Sequence, residues 1–229
     1  MNQQEQYAII VAGGSGTRMS SSIPKQFIKI GEQPILMHTI QAFHHYNSQL
    51  QLILVLPKNQ RAWWNDLLTT YKFGISHQVV DGGESRFLSV KYGLSAIPND
   101  TQGLVAIHDG VRPFVSSEMI ARSFSEAAIF GNAIAAIELK ESIRHLSSLE
   151  NTHVPRAEYR LIQTPQTFSV EEIKKAFNQK ERETFTDDAS VLEANGGQVH
   201  LYQGEYKNIK ITTPDDLLWA EAFLAQSNR

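Results

Sequence analysis

Short apolar runs alternate with stretches of helical periodicity along most of this chain, and that alternation limits its fold more than any other feature. The runs are Tyr7–Ala12, Leu50–Leu56, Ser76–Val80, Gly103–His108 and Ala133–Ile137. Helical patterns occupy Ile35–Tyr46, Gln60–Tyr71, Arg86–Ala96 and Ser116–Phe130 between them. A strand that is apolar at successive residues has two faces to bury, and crossover helices on both sides of a parallel sheet bury them. The expectation is an α/β chain with a mostly parallel sheet covered on both faces. Hydrophobic residues fill 41% of the 229 positions, enough for such a core. No repeat, low-complexity tract or long linker divides the chain, so it reads as a single domain over residues 1–229. In sheets of this kind ligands bind at the carboxyl ends of the strands, so motifs that follow strands carry the most weight.

One stretch breaks the rhythm. Between Leu139 and Gln163, two short β-like pieces, Glu141–Leu146 and Tyr159–Gln163, flank a polar turn with no room for a crossover helix. The pattern predicts a hairpin standing off the main sheet, a β-arm at about 139–163. Beyond it come a helix near Val170–Asn178, another near Asp187–Ala194 stopped by Gly196-Gly197, and a strand at Val199–Gln203. A last helix starts near Pro214, with Thr213 as its cap and Asp215 and Asp216 in its first turn.

The charge balance, 21 basic against 24 acidic residues, gives a net −3, so neither nucleic acid nor an anionic membrane is expected as a partner. An anionic ligand would need a local cluster of cations. The chain has no Cys, which removes disulfides, thiolate metal sites and a Cys nucleophile, and fits a reducing cytoplasm. Met1–Gln6 is polar and the apolar run after it is too short for a signal or a membrane span, so a cytoplasmic location is expected.

Four groups of residues carry the candidate chemistry. Ala12-Gly13-Gly14-Ser15-Gly16-Thr17-Arg18-Met19 follows the first strand, and its glycines let backbone amides approach an anion. A phosphate loop of the Walker type needs Lys-Ser/Thr after the last glycine, and a dinucleotide fingerprint needs Gly where Met19 stands. Neither is present. Arg18 and Lys25, the latter behind Pro24, add two cations that suit a triphosphate; a glycine turn with solvated charges is the plainer alternative. Asp81-Gly82-Gly83-Glu84-Ser85-Arg86 follows a strand and opens a helix, which presents free amides or is simply a turn with a cap. His108-Asp109-Gly110-Val111-Arg112-Pro113 ends another strand; its Asp and Arg either form a structural ion pair or serve a metal-phosphate and an anion. The fourth group is dispersed: Arg156, Gln163-Thr164-Pro165-Gln166, Thr186-Asp187-Asp188-Ala189-Ser190 and Asn208-Ile209-Lys210-Ile211-Thr212. Lys210 alone reads as an edge lysine and Thr186-Asp187 as a helix cap. Four cation- and glycine-rich strand ends together point to one polyanion site.

Several chemistries are absent. His38, His44 and His45 lack the spacing and carboxylate partner of a zinc site, and no Gly-x-Ser-x-Gly elbow occurs. Trp63-Trp64 reads as packing. A site with cations but no evident nucleophile or base suits phosphoryl or nucleotidyl transfer to an acceptor that is already an ionised phosphate.

Gly-Gly-Ser-Gly-Thr-Arg-Met, Pro-Lys-Gln, Asp-Gly-Gly-x-x-Arg-x-x-Ser-Val, His-Asp-x-x-Arg-Pro, Thr-Pro-Gln, Thr-Asp-Asp-Ala-Ser and Asn-Ile-Lys-Ile-Thr-x-Pro-x-Asp-Leu stand in one order and spacing from about Ile9 to Leu217. As an ensemble they resemble the 2-C-methyl-D-erythritol 4-phosphate cytidylyltransferases. The resemblance implies a Rossmann-like, three-layer nucleotidyltransferase fold whose β-arm builds a homodimer. It implies that Ala12, Gly13, Gly14, Ser15, Gly16, Thr17 and Arg18, with Lys25, hold the CTP triphosphate, and that Gly83, Glu84 and Ser89 lie near cytosine and ribose. Asp109, Arg112, Thr164, Thr186 and Lys210 would line the sugar-phosphate side, completed by Ser142 and Arg156 from the partner's arm. The family often has Asp in place of Glu84, Thr in place of Ser142, and Ala-Ala in place of Gly110-Val111.

The implied reaction is attack of the acceptor phosphate on the α-phosphorus of CTP with loss of pyrophosphate. Arg18, Lys25 and Lys210 would be the catalytic cations, and Mg2+ would be held mainly by the nucleotide's phosphates. Ribitol 5-phosphate cytidylyltransferases share the fold and Val-Arg-Pro-Phe; Thr186–Ser190 leans toward the erythritol enzyme. A CTP-binding regulator without turnover would have dispensed with Lys25 and Lys210.

Overall fold

The computed structural model describes residues 4–13 and 23–227. In chain order, β1 (Glu5–Val11) is followed by a 3-10 turn at Lys25–Phe27, the two-strand ribbon β2 (Lys29–Ile30) and β3 (Gln33–Pro34), and α1 (Ile35–Tyr46). Next come β4 (Gln51–Leu56), α2 (Arg61–Thr70), β5 (Gln78–Asp81), α3 (Arg86–Ser95), β6 (Gly103–Asp109), α4 (Ser117–Phe130) and β7 (Asn132–Glu138). The remainder is β8 (Ile143–Leu146), β9 (Asn151–Val154), β10 (Arg160–Ser169), α5 (Val170–Ala176), α6 (Asp188–Ala194), β11 (Leu201–Gln203) and α7 (Pro214–Ser227).

Seven strands form one sheet in the order β11-β7-β10-β6-β1-β4-β5. Only β10 runs antiparallel to its neighbours, so the mostly parallel α/β expectation holds. Alternation explains the layers. Ala8 and Ile10 of β1 point to one face with Leu52, Leu54 and Ala106, where α1, α2 and α4 supply Phe43, Trp64 and Phe124. Ile9 points to the other with Ile53, Val105 and Ile107, against Phe87 and Leu94 of α3, Ile173 of α5 and Leu192 of α6. Ile9 and Ile10 are both 0% exposed, each contributing about 1.5–3 kcal/mol of burial. Trp64 is fully buried and stacks on Phe27, the packing role expected of it. Among the described residues no helix is long and apolar enough to cross a membrane.

Helix starts follow local chemistry. Ser85 accepts from the Leu88 amide at 3.1 Å and Ser116 from Met119 at 3.0 Å, while Asp187 and Ser190 form a reciprocal capping box on α6. Thr213 accepts from Asp216 at 3.4 Å, but the closer contacts are to the Asp216 carboxylate, which takes the Thr212 and Thr213 amides at 2.8 Å.

The arm differs from expectation in one respect. β8 closes its hairpin with β9, not with Tyr159–Gln163. Those residues lead instead into β10, a ten-residue strand between β6 and β7. No apolar run marks its full length, because Gln163, Thr164, Gln166 and Thr167 are polar yet buried in mid-sheet. Their polar groups are answered from neighbouring elements: Thr167 donates to Ser123 Oγ at 3.0 Å, Gln166 to Asp187 at 2.9 Å and Gln163 to the Glu205 carbonyl at 2.9 Å. Pro165 sits where the β10 register with β7 shifts, the place a central strand tolerates proline.

Candidate active site

At the carboxyl ends of β1 and β6 lies a cavity of about 300 Å³. Ala12 and Gly13 form its floor, the Ala12 amide donating to Val55 O at 2.9 Å. β6 approaches closely: the Gly110 amide donates to Val11 O at 2.8 Å, and a Cβ on Gly110 would lie 2.9 Å from the Ala12 Cβ. A side chain there would require a small shift of the neighbouring atoms.

One wall is the loop before α3. The Gly83 amide donates to Ser89 Oγ at 3.1 Å, which folds the loop onto its own helix. A Cβ on Gly83 would stand 2.3 Å from that of Leu88, so glycine is obligatory. Glu84 lines the same wall. Lys25, in the 3-10 turn that follows Pro24, also lines the cavity. Its neighbour Gln26 is fully buried and donates to the Ala12 carbonyl at 2.8 Å, which fastens the cationic turn to the end of β1.

Asp109 ends β6 as the electrostatic centre. Lys210 Nζ is 3.0 Å from its carboxylate, Arg112 Nε 3.2 Å and Arg86 Nε 3.9 Å. Burial alone would raise the Asp109 carboxyl above its ordinary value, but Lys210, Arg86 and Arg112 together hold it well below. A carboxylate kept so acidic is a poor base and a good anchor. It orients Lys210, which the Ile211 amide also secures by donating to Val111 O at 2.9 Å. His108 is no base either. It is fully buried, and burial drives its pKa down to about 4.

Lys25, Lys210, Ala12, Gly13, Gly83, Glu84, Ser89 and Asp109 thus line one cavity, as their motifs suggested. Gly14, Ser15, Gly16, Thr17 and Arg18 lie outside the described residues. Other expected residues stand apart. Thr164 is buried behind Asp109, whose amide donates to its hydroxyl at 3.1 Å. Arg112 is held by Asp109 and by the Asn208 carbonyl, to which Nη1 donates at 2.8 Å. Thr186 is exposed just before α6, its amide donating to Ser190 Oγ at 3.1 Å. Ser142 and Arg156 belong to the arm and do not reach the cavity of their own chain; the Arg156 guanidinium donates to the Lys140 carbonyl.

Nothing in the sequence assigns a role to Arg86, although it sits in the Asp-Gly-Gly-x-x-Arg motif. It lines the cavity and forms a bidentate pair with Asp188, both contacts at 2.7 Å. That partner is 102 residues away, beyond the reach of any spacing rule. Gln26 was likewise visible only as the neighbour of Lys25.

Among the described residues the cavity therefore offers cations and glycines, and neither Asp109 nor His108 is suited to act as a base. Comparisons with known proteins agree with that chemistry. The family model described as 2-C-methyl-D-erythritol 4-phosphate cytidylyltransferase matches residues 6–226. A protein of that name from Phocaeicola vulgatus is 50% identical over 218 residues, covering 95% of this chain and 99% of its own. The crystal structure of 4-diphosphocytidyl-2C-methyl-D-erythritol synthase from Anaerococcus prevotii superposes with a TM-score of 0.83 at 30% identity, covering 97% of this chain and 96% of that one. The 2-C-methyl-D-erythritol 4-phosphate cytidylyltransferase from Thermus thermophilus gives 0.77 at 28% identity, with 97% and 100% covered.

Proposed function

This chain belongs to the 2-C-methyl-D-erythritol 4-phosphate cytidylyltransferase family, and from that premise we propose how its cavity divides the work of transferring CMP from CTP to the erythritol phosphate. The observation that carries the reading is the meeting of Lys25, Lys210 and the buried Asp109 in one cavity at the ends of β1 and β6. The acceptor phosphate oxygen attacks the α-phosphorus in line, the bond to the β-phosphate oxygen breaks, and pyrophosphate leaves. The acceptor needs no base, because a phosphate monoester has lost most of its second proton at pH 7. Lys25 and Lys210, with Arg18, offset charge that grows on the α-phosphate and leaving oxygens. Asp109, 3.0 Å from its ammonium, keeps Lys210 aimed.

The nucleotide side consists of Ala12, Gly13, Gly14, Ser15, Gly16 and Thr17 around the triphosphate, and of Gly83, Glu84 and Ser89 near base and ribose. Arg112, Thr164 and Thr186 serve the acceptor side. Arg112 Nε and Nη1 are engaged by Asp109 and Asn208, so its Nη2 edge is the part assigned to the acceptor's anion. Ser142 and Arg156 do not line their own cavity, and the arm exposes Leu146 and Leu149 at 71% and 93%. A two-fold dimer would bury such side chains and place each arm over the neighbouring site.

Among the described residues no cluster of three or more His, Cys, Asp or Glu side chains could hold a metal, and Asp109 already faces three cations. Mg2+, which the family resemblance implies, would then be held chiefly by the triphosphate oxygens. Bound there, the ion would supply charge neutralisation of the phosphates.

Pyrophosphate release with CTP against a panel of sugar-alcohol phosphates tests the assignment. Turnover should be greatest with the erythritol phosphate, and UTP should be disfavoured by about 10⁴ because it presents an acceptor where cytosine presents a donor. Preference for ribitol 5-phosphate would overturn the acceptor assignment, and equal use of UTP the base reading.

A further inference from the structure

We propose that Arg86 and Asp188 are a positioning pair that fixes the nucleotide side of the cavity relative to the acceptor side. The proposal rests on the transferase reading above and adds to it. Both residues occupy the first position of a helix, Arg86 of α3 and Asp188 of α6. The residues before Arg86 are Gly83, Glu84 and Ser85, a wall of the cavity. Those before Asp188 are Thr186 and Asp187, on the segment assigned to the acceptor. The pair therefore joins the starts of two helices whose leading loops handle different substrates.

Its geometry is specific. Asp188 is 0% exposed, and both its oxygens accept from the guanidinium, Nη1 to Oδ1 and Nη2 to Oδ2, at 2.7 Å. The third nitrogen, Nε, faces Asp109 Oδ1 at 3.9 Å. Arg86 thus spans two carboxylates, one in the core and one in the cavity. A lysine could serve either but not both in this fork geometry. The α6 end is anchored in turn to the sheet: Gln166 donates to Asp187 at 2.9 Å and accepts from the Ala189 amide at 2.9 Å.

Stability does not account for such a pair. Taking two charges out of water is costly, and apolar residues of similar volume commonly hold a fold as well or better. What a bidentate pair supplies is direction. Asp109, which orients Lys210, takes part of its own placement from Arg86, so an error of a few tenths of an ångström at α6 is felt at the reacting phosphates.

Two variants test this against a purely structural role and against direct action of Arg86. Arg86→Met with Asp188→Leu replaces the pair by an apolar contact, and Asp188→Asn keeps the Arg86 charge while weakening its fork. Thermal melting, Kd for Mg-CTP by calorimetry, and kcat are measured on the intact protein. The expected result is melting within a few degrees of the parent for the double variant, Mg-CTP affinity within about tenfold, and kcat lower by about 10²-fold, the scale of a misplaced reacting group. Asp188→Asn should also lower kcat more than it raises KM. A folded double variant with parental kcat overturns the proposal. So does an Asp188→Asn protein that matches the parent in both constants, which would leave Arg86 acting directly. If the parent itself shows no transfer to the erythritol phosphate, the transferase reading fails instead.

Discussion

Acidification from pH 7 to pH 4 should remove about 3 kcal/mol of folding stability through His108 alone. The imidazole is 0% exposed, and Phe43 meets it edge-on at 4.9 Å. Its Nε2 is 3.1 Å from the Arg112 carbonyl, which only accepts, so Nε2 carries the proton. Nδ1 is buried with no hydrogen-bond partner among the described residues. A second proton would have nothing to donate to. Burial, aided by the charges of Arg112 and Lys210, outweighs the Arg112 carbonyl and Asp109 and brings the pKa to about 4. In the unfolded chain a histidine titrates at about 6.5. Between those values the unfolded state binds the extra proton and the folded state does not, so stability rises with pH and is lost on acidification. Each pH unit within the window changes it by about 1.4 kcal/mol, a large share of a typical 5–15 kcal/mol total. Burial lowers His38 and His77 as well, so the parent alone cannot isolate the effect. His108→Gln keeps a donor for the Arg112 carbonyl and does not titrate. Urea unfolding of both proteins at pH 7, 6, 5 and 4.5 should show the parent losing stability faster, with the gap opening below about pH 6.5. Parallel curves would refute the reasoning. Asp109 acts in a separate, lower window: its depressed pKa contributes stability that is present above about 3.9 and lost only below it.

Lys25→Ala and Lys210→Ala should each lower kcat by roughly 10²–10³, with CTP affinity falling less for Lys210; steady-state kinetics decide, and a near-parental kcat removes that lysine from the mechanism. Arg156→Ala and Lys210→Ala homodimers should be nearly inactive, yet their equal mixture should recover to roughly a quarter of parental activity, since about half the dimers then hold one intact site. No recovery despite verified subunit exchange would show that Arg156 serves its own subunit.

The sheet and its helices were legible because their signal is local. The run Ile35–Tyr46 is α1 to the residue, since its apolar spacing lies within one element and Pro34 immediately precedes its start. β10 was not legible past Gln163. Its stability depends on polar side chains whose partners, Ser123, Asp187 and Glu205, come from other elements. The cavity was legible in part for the same reason. Strand-end motifs located Lys25, Gly83, Asp109 and Lys210, each next to a strand or turn that identifies it. Nothing in the sequence joins Arg86 to Asp188, because only the closed fold brings their helices together. Nor does composition reveal that Arg112 is tied down by Asn208, whose backbone supplies the contact.

The reversed strand has a consequence for how the arm could arise and vary. β7 runs up to the rim of the sheet and β10 runs back down beside it, with Glu138 opposite Arg160. The two ends of the arm are therefore already in register as a hairpin, and the intervening residues extend its turn. An insertion at such a point adds little closure entropy, since doubling a loop's length costs only about 0.6 kcal/mol. The arm can lengthen or shorten while the sheet beneath it keeps its pairing. An all-parallel order would have returned the chain at the opposite rim. Reversal of one strand leaves an adaptable appendage on the same side as the substrates.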